Sequence, residues 1–167
     1  MKFISHRGNI ETINAKEENN PIYIEKAIKL GFEVEIDFRV HNNNLYLGHD
    51  KNQYLIDQNF LTNHSSKIWI HAKNDESLKY LLEVNEDLNY FWHEEDSYTI
   101  TSKGYVWTHF DKNSELKKNN FSFSNKTILT LPELSHIYKF DDILKKNYCG
   151  ICSDNIIYYK NLFDENK

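Results

Sequence analysis

Residues 32–40 read Phe-Glu-Val-Glu-Ile-Asp-Phe-Arg-Val, an uninterrupted alternation of apolar and charged side chains. This period of two predicts a β-strand with one apolar face and one charged face. The charged face carries Glu35 and Asp37, which lie two residues apart and therefore point the same way. Burying two neighbouring acids is costly without a positive partner, so this face lies either in water or in a charged site.

The sequence on both sides of this strand alternates short strand patterns with short helical patterns. Further strands are predicted over residues 2–7, 45–49, 67–73, 89–93, 105–109, 126–131 and 148–153. Helices are predicted over residues 21–30, 75–86, 140–146 and 156–163, with a short helix or loop over 56–63 and a polar loop with a weak helix over 111–125. This alternation predicts an α/β fold.

A compact, trimmed TIM-barrel-like (β/α) barrel is the best single match to these strands and helices. Such barrels typically need roughly 200 residues or more. A chain of 167 residues would therefore have to shorten its helices or lack one βα unit. An open doubly wound sheet is the structural alternative. The length, with neither a repeat nor a linker, predicts a single domain over residues 1–167.

Composition and charge indicate a globular protein that does not bind nucleic acid. Hydrophobic residues make up 40% of the chain and aromatic residues 14%, which is typical of a packed core. A net charge of −5 without a basic tail does not fit a phosphate-backbone binder. No signal-peptide pattern and no run approaching ~18 apolar residues occurs, so we expect no membrane span and a cytoplasmic location.

The two cysteines, Cys149 and Cys152, form a CxxC sequence that is compatible with redox chemistry or zinc binding. No second cysteine pair accompanies them, and on a strand residues three apart point to opposite faces. We therefore expect two small, semi-buried side chains.

Two histidines stand out because each ends an apolar strand next to a glycine. His6 precedes Arg7 and Gly8, and His49 follows Gly48. The carboxyl ends of barrel strands are where catalytic groups lie. Imidazole exchanges protons near neutral pH, and a guanidinium binds phosphate oxygens in a bidentate way. His6 and His49 are thus candidate proton carriers, and Arg7 is a candidate phosphate contact.

The order of these short motifs resembles the glycerophosphodiester phosphodiesterase family. The motifs are His6-Arg7-Gly8, Glu18-Asn19, Glu35-x-Asp37 and Gly48-His49-Asp50. Residues 70–73 and 150–154 resemble two further strands of that family, and residues 106–108 a third. The similarity is clear over residues 1–75 and 148–155 and loose between them.

The resemblance implies a TIM barrel with one divalent metal ion and two catalytic histidines. It assigns Glu35 and Asp37 as metal ligands, His6 and His49 as the acid–base pair, and Arg7 and Lys73 as phosphate contacts. Trp107 is a further candidate, as a wall of the pocket against a glycerol or sugar group. Because a core position is equally compatible with a tryptophan, this last role stays open. Phospholipase D toxins of the same superfamily share the arrangement and release a cyclic phosphate.

Two departures from the family pattern matter. The third acidic ligand falls on His71, and imidazole is a poorer partner for a hard ion. The expected ion is Mg²⁺ or Ca²⁺, with Mn²⁺ or Zn²⁺ as alternatives because of His71. Another acid, Glu33 or Glu94, would compensate for the missing carboxylate ligand. Glu18-Asn19 lacks the family's preceding proline and following threonine.

These observations predict a metal-dependent phosphodiester hydrolase or cyclase acting on a glycerophosphodiester-like or polyol phosphodiester. The partner is then a small molecule, and the product is either a cyclic phosphate or its hydrolysis product. The alternative is a non-catalytic relative that binds phosphate or metal on the same barrel, motivated by the short chain and by His71. The sequence leaves open the oligomeric state and which histidine acts as the base.

Overall fold

A computed structural model of the chain describes residues 1–84, 87–109, 124–134 and 147–166. The strands in these ranges are β1 (Lys2–His6), β2 (Glu33–His41), β3 (Asn44–Leu47), β4 (Tyr54–Ile56), β5 (Ile68–Ala72), β6 (Tyr90–Trp92), β7 (Tyr98–Ile100), β8 (Val106–Thr108), β9 (Thr127–Thr130) and β10 (Gly150–Ser153). The helices are α1 (Pro21–Lys29), α2 (Gln58–Asn63), α3 (Asp75–Glu83) and α4 (Ile156–Glu165), with a 3₁₀ turn at Pro132–Leu134.

Parallel pairing links most of the strands into one sheet. Their order is β6-β5-β2-β1-β10-β9-β8, and every neighbouring pair in this series is parallel. Strands β3 and β4 continue from the end of β2 as antiparallel strands, and β7 pairs antiparallel with β8. Because the seven strands of this series are parallel, their carboxyl ends lie along one edge of the sheet.

The sheet curls strongly around its inner face. Phe91 on β6 and Trp107 on β8 belong to opposite ends of the parallel series, yet their ring centroids lie 4.7 Å apart. They are part of an inner apolar cluster in which six strands each contribute one buried residue: Ile4, Trp69, Phe91, Trp107, Ile128 and Cys152. The structure therefore has a mixed α/β fold with a curled, half-barrel sheet, and a complete trimmed barrel stays a prediction.

The described helices cover the outer face of this sheet. A second apolar cluster joins strand residues such as Ile36 and Phe38 to Ile24 of α1, Leu81 of α3 and Ile156 of α4. An open doubly wound sheet needs helices on both faces. Within the described residues the inner cluster contains strand and loop side chains alone, which disfavours that alternative.

Most predicted elements are confirmed, with bounds that shift by a few residues. Strands β4 and β7 were not predicted, because each spans three residues, which is too short for a period of two to be recognised. The predicted strand over 45–49 ends at Leu47, so that Gly48 and His49 belong to the loop that follows it. Asn74 caps α3 in a capping box with Ser77. The predicted helix at 140–146 and residues 111–123 of the predicted loop lie outside the described residues.

The two cysteines have the structural role expected of them. Both are free, with Cys152 buried in the inner cluster and Cys149 only partly buried. Their CxxC sequence accordingly forms no disulfide.

Replacing Ile36 with alanine should destabilise the fold. Ile36 is fully buried in the outer cluster, so Ile36→Ala should lower the free energy of unfolding by roughly 2–5 kcal/mol. The change is measured by denaturant unfolding. Leu82→Ala is the control, because Leu82 on α3 is 66% exposed and should cost less than about 0.5 kcal/mol. Equal losses from the two variants would contradict this assignment of the core.

Candidate active site

The carboxyl edge of the curled sheet opens into a cavity of about 150 Å³. Of the residues predicted to form a site, seven line this cavity: His6, Arg7, Glu35, His49, His71, Lys73 and Trp107. The eighth, Asp37, is fully buried and contacts His71. Every predicted site residue thus lies in or directly against one cavity.

Glu35, Asp37 and His71 form a compact group that is able to hold a metal ion. Asp37 on β2 and His71 on β5 are register partners in the parallel sheet. The Nδ1 atom of His71 lies 3.4 Å from Oδ1 of Asp37 and 3.7 Å from Oε1 of Glu35. One ligand atom from each of the three residues lies within 4.8 Å of the others.

The imidazole of His71 is held so that its Nδ1 atom faces these two acids. Nε2 lies 3.1 Å from the backbone oxygen of His93, and because a carbonyl oxygen only accepts, Nε2 carries the hydrogen. Nδ1 is then the nitrogen that faces the acids: it directs a hydrogen at Asp37 in the charged ring and offers a lone pair to a cation in the neutral ring. The ring also stacks on Phe91, with centroids 4.8 Å apart. Histidine ligands of metals usually donate their second nitrogen in this way.

The two buried acids have opposite electrostatic environments. Burial and the charge of Asp37 raise the pKa of Glu35 above its usual value. Burial alone would raise the pKa of Asp37 too, but His71 and the guanidinium of Arg7 outweigh it and hold that pKa well below its usual range. Nε of Arg7 lies 2.8 Å from Oδ2 of Asp37, and the Asn19 side chain donates to the same oxygen over 2.9 Å.

This donor set fits a divalent cation. Oε2 of Glu35 and Oδ1 of Asp37 are both buried and have no hydrogen-bond partner among the described residues. A buried carboxylate oxygen without a partner carries the cost of its lost hydration. A cation held by Glu35, Asp37 and Nδ1 of His71 would offset the charge of both acids.

His6 is oriented by an acid from the far end of the chain. Its Nδ1 lies 2.7 Å from Oδ1 of Asp154, so Nδ1 carries the hydrogen and the lone pair of the neutral ring is on Nε2. Nε2 lies 3.9 Å from Oε2 of Glu35. Burial lowers the pKa of His6, but the hydrogen bond to Asp154 and the charge of Glu35 more than compensate, and the net shift is upward.

His49 lies on the loop after β3, and hydrogen bonds to the backbone of that loop hold it in place. The guanidinium of Arg39 donates to the carbonyl oxygens of Gly48 and His49. Gly48 has a φ of +149°, and a Cβ there would clash with the carbonyl oxygen of Lys51. Glycine is therefore required at this position.

The imidazole of His49 pairs with Asp50 and faces Lys73. Nδ1 lies 2.7 Å from Oδ1 of Asp50, and Nε2 lies 3.5 Å from Nζ of Lys73. Partial burial lowers the pKa of His49, and the charges of Arg7 and Lys73 lower it further. Each predicted proton carrier thus has its Nδ1 atom on a carboxylate and its Nε2 atom directed at the groups of the cavity.

Several residues that the sequence did not assign support the site. Asp154 also accepts from the fully buried Asn9 over 2.8 Å, and Asn9 donates to Glu18. Glu18 in turn accepts from Nη1 of Arg7 over 3.1 Å. The Glu18-Asn19 pair therefore positions Arg7 and Asp37, although its match to the family pattern is incomplete. The signal for Asp154 was its place directly after the terminal strand, where sequence reasoning assigned it no role.

The suggestion that Glu33 compensates for a missing acid is wrong. Glu33 is the first residue of β2, and Asp37 lies in the middle of the strand, closer to the cavity. Its carboxylate accepts from Nζ of Lys2 over 2.8 Å and from Nε1 of Trp69 over 2.7 Å. Glu94 does line the cavity, but it does not belong to the metal-competent group found in the described residues.

The remaining wall of the cavity is formed by residues after β6, β8 and β9. The rings of His93 and His109 lie 4.7 Å apart, and Nε2 of His93 donates to the carbonyl of Asp96. Trp107 is 4% exposed and packs between Phe91 and Trp69, with the Trp69 centroid 5.5 Å away. Trp107 is thus mainly a core residue that reaches the cavity floor.

Comparison of the chain with protein-family models, with curated proteins and with solved structures finds no match in any of the three. Among the helices in the described ranges, none has both the length and the apolar character needed to cross a membrane.

Replacing Glu35 with glutamine should stabilise the metal-free protein and abolish its response to metal. The pKa of Glu35 is raised, so its ionised form destabilises the fold at neutral pH, and a neutral amide removes that cost. The melting temperature of Glu35→Gln without metal should exceed that of the wild type. Divalent ions should raise the melting temperature of the wild type but not that of Glu35→Gln.

Glu33→Gln is the matched control for this prediction, because Glu33 lies on the same strand outside the cavity. It should keep the metal-induced rise in melting temperature. A similar rise in Glu35→Gln would rule out Glu35 as a ligand.

Proposed function

We propose that the protein is a metal-dependent phosphodiesterase of the glycerophosphodiester phosphodiesterase type. The observation that supports this most is the convergence of His6, His49 and the acids Glu35 and Asp37 on one cavity that also holds Arg7 and Lys73. Proton carriers, cationic groups and a metal-competent acid pair are the parts that cleavage of a phosphodiester requires.

The cationic side chains supply the phosphate contacts in this proposal. Nη1 of Arg7 donates to Glu18, and its Nε forms a close ion pair with Asp37 at 2.8 Å without the geometry of a hydrogen bond. In this proposal Nη2 is the group that donates to a phosphoryl oxygen. Lys73 lies 3.9 Å from Asp37 and 3.5 Å from His49, so its ammonium group reaches the same space. Their charges offset that of the bound phosphate.

Glu35, Asp37 and His71 would hold the divalent ion, which when bound polarises a phosphoryl oxygen as a Lewis acid. A hydroxyl group next to the ester attacks phosphorus, and its proton passes to Nε2 of His6. The new oxygen–phosphorus bond forms as the bond to the leaving alcohol breaks, and His49 donates a proton to the departing oxygen. Water then opens the cyclic phosphate in a hydrolase, whereas a cyclase releases it.

The two histidines differ in proton affinity, because the pKa of His6 is raised and that of His49 is lowered. A neutral His6 is therefore a strong proton acceptor and a protonated His49 a ready donor. At any given pH, however, His6 is the more protonated ring, so the rate in this proposal depends on the fraction of the protein in which neutral His6 and protonated His49 coexist.

The size of the cavity limits the substrate that we propose. At about 150 Å³ it is smaller than the roughly 300–1,000 Å³ typical of ligand pockets. We infer that the described residues enclose the phosphoryl group and one small polyol, such as glycerol, while the second alcohol extends outside. In the same proposal the curled sheet is a trimmed TIM barrel, and the enzyme acts on this small molecule in the cytoplasm.

Removing either proton carrier should abolish turnover. His6→Ala and His49→Ala should each lower kcat by roughly 10²–10⁴-fold on a glycerophosphodiester, because each loses a positioned acid or base. Release of the alcohol is followed with a coupled assay, and circular dichroism checks the fold. His41→Ala is the control, because His41 is exposed at the end of β2 and outside the cavity.

Unchanged turnover in either variant would overturn the two-histidine mechanism. Binding of metal and phosphate by the wild type without turnover would instead identify the protein as a non-catalytic binder.

Replacing Asp154 with asparagine should slow catalysis through His6. The neutral amide would no longer offer the Nδ1 hydrogen of His6 a charged acceptor, so the neutral ring would lose its preferred tautomer. We expect Asp154→Asn to lower kcat by at least roughly 10-fold with little change in KM, since Asp154 positions a catalytic residue without touching substrate. Asp164→Asn, on the exposed side of α4, should leave both constants unchanged. A rise in KM at constant kcat would contradict the positioning role.

A further inference from the structure

We propose that Glu35, Asp37 and His71 form a transition-metal site that favours Zn²⁺ and Co²⁺ over Mg²⁺ and Ca²⁺, with Mn²⁺ between them. This inference deepens the proposed function, on which it rests for the presence of a metal ion. It names the class of cation from the chemistry of the side chains that face each other in the cavity.

The group contains a nitrogen donor, which favours a transition metal. His71 contributes Nδ1 to a group whose other ligand atoms are carboxylate oxygens. Imidazole nitrogen suits Zn²⁺, Co²⁺ and other transition metals, whereas Mg²⁺ and Ca²⁺ prefer oxygen ligands throughout. A mixed set of one nitrogen and two carboxylates therefore favours the softer ions.

The ring of His71 is also held in place beside Glu35 and Asp37. Its Nε2 hydrogen is bound to the backbone oxygen of His93 over 3.1 Å, and its ring stacks on Phe91. The side chain is also largely buried, with 13% exposure. Because these contacts fix the ring, a hard ion bound here would keep the nitrogen as a ligand. A water molecule could not readily take its place.

The net negative charge that the group offers to a cation is small. Glu35 and Asp37 contribute two negative charges, but Arg7 and Lys73 lie 2.8 Å and 3.9 Å from the oxygens of Asp37. These two cations offset much of the attraction. Oxygen-seeking ions such as Ca²⁺ derive their affinity largely from the ligand charge, so this site penalises them. The bond between imidazole and a transition metal depends less on net charge.

Calorimetric titration of the metal-free protein with Zn²⁺, Mg²⁺ and Ca²⁺ tests this inference without any substrate. Transition metals bind more tightly than Mg²⁺ at most nitrogen or oxygen sites, so the informative quantity is the change in selectivity on mutation. His71→Glu should lower the ratio of Zn²⁺ affinity to Mg²⁺ affinity by at least roughly 10-fold and raise the Ca²⁺ affinity. His64→Gln is the control, since His64 contacts Glu25 and Phe60 away from the cavity and should leave the ratio unchanged.

Visible absorption of the Co²⁺-loaded wild type provides a second readout that needs no folded variant at position 71. The inference predicts one Co²⁺ per chain with an imidazole nitrogen ligand. A Co²⁺ spectrum typical of oxygen ligands alone, or an unchanged ratio in a folded His71→Glu, would overturn it.

The outcomes separate this inference from the proposed function. Metal selectivity as predicted without phosphodiester turnover supports the site and rejects the enzyme. Turnover that depends on Mg²⁺ and is unaffected by His71→Glu supports the enzyme and rejects the transition-metal site.

Discussion

The burial of two carboxylates on one strand is the constraint on which the rest of the site depends. Glu35 is 2% exposed and Asp37 is fully buried, and both project from the same face of β2. Two ionised acids in such a position are destabilising unless other groups compensate for them. Arg7 provides that compensation for Asp37 from the end of β1, and His71 adds to it from β5. The neighbouring strands are therefore arranged around the charge of β2.

This constraint explains why the compensation is uneven. Asp37 has Arg7, Asn19 and His71 around it and stays ionised, with its pKa far below the usual range. Glu35 lacks a comparable partner among the described residues, and its pKa is raised. The nearest basic groups to Glu35, on His71 and His6, lie 3.7 Å and 3.9 Å away, so in the metal-free protein Glu35 is less well stabilised than Asp37. The metal-free protein is thus destabilised where a cation would bind, and such local destabilisation is common at functional sites.

The sequence predicted the metal-competent group from two sources, local periodicity for Glu35 and Asp37 and the family resemblance for His71. Alternation along β2 places Glu35 and Asp37 on one face, and the same rule places His71 and Lys73 together on β5 and just after it. The same alternation led to the error over Glu33, since periodicity identifies a face but not which end of the strand opens into the cavity. Glu33 shares the face of Glu35 and Asp37, but it lies at the amino end of β2, away from the cavity.

Contacts between distant parts of the chain were beyond sequence reasoning. His6 and Asp154 are 148 residues apart, and only the parallel pairing of β1 with β10 brings them together. Likewise, the contact between Phe91 and Trp107 depends on the curl of the whole sheet. Such pairings follow from strand order, which local patterns do not determine.

The central claim is that this cavity cleaves a phosphodiester with its metal-competent acids and two oriented histidines. The most direct test is ³¹P NMR of a glycerophosphodiester incubated with the metal-loaded protein. The account predicts that the diester resonance is replaced by that of a cyclic phosphate or a monoester. A diester resonance that persists with Zn²⁺, Mn²⁺, Mg²⁺ and Ca²⁺ alike would contradict it.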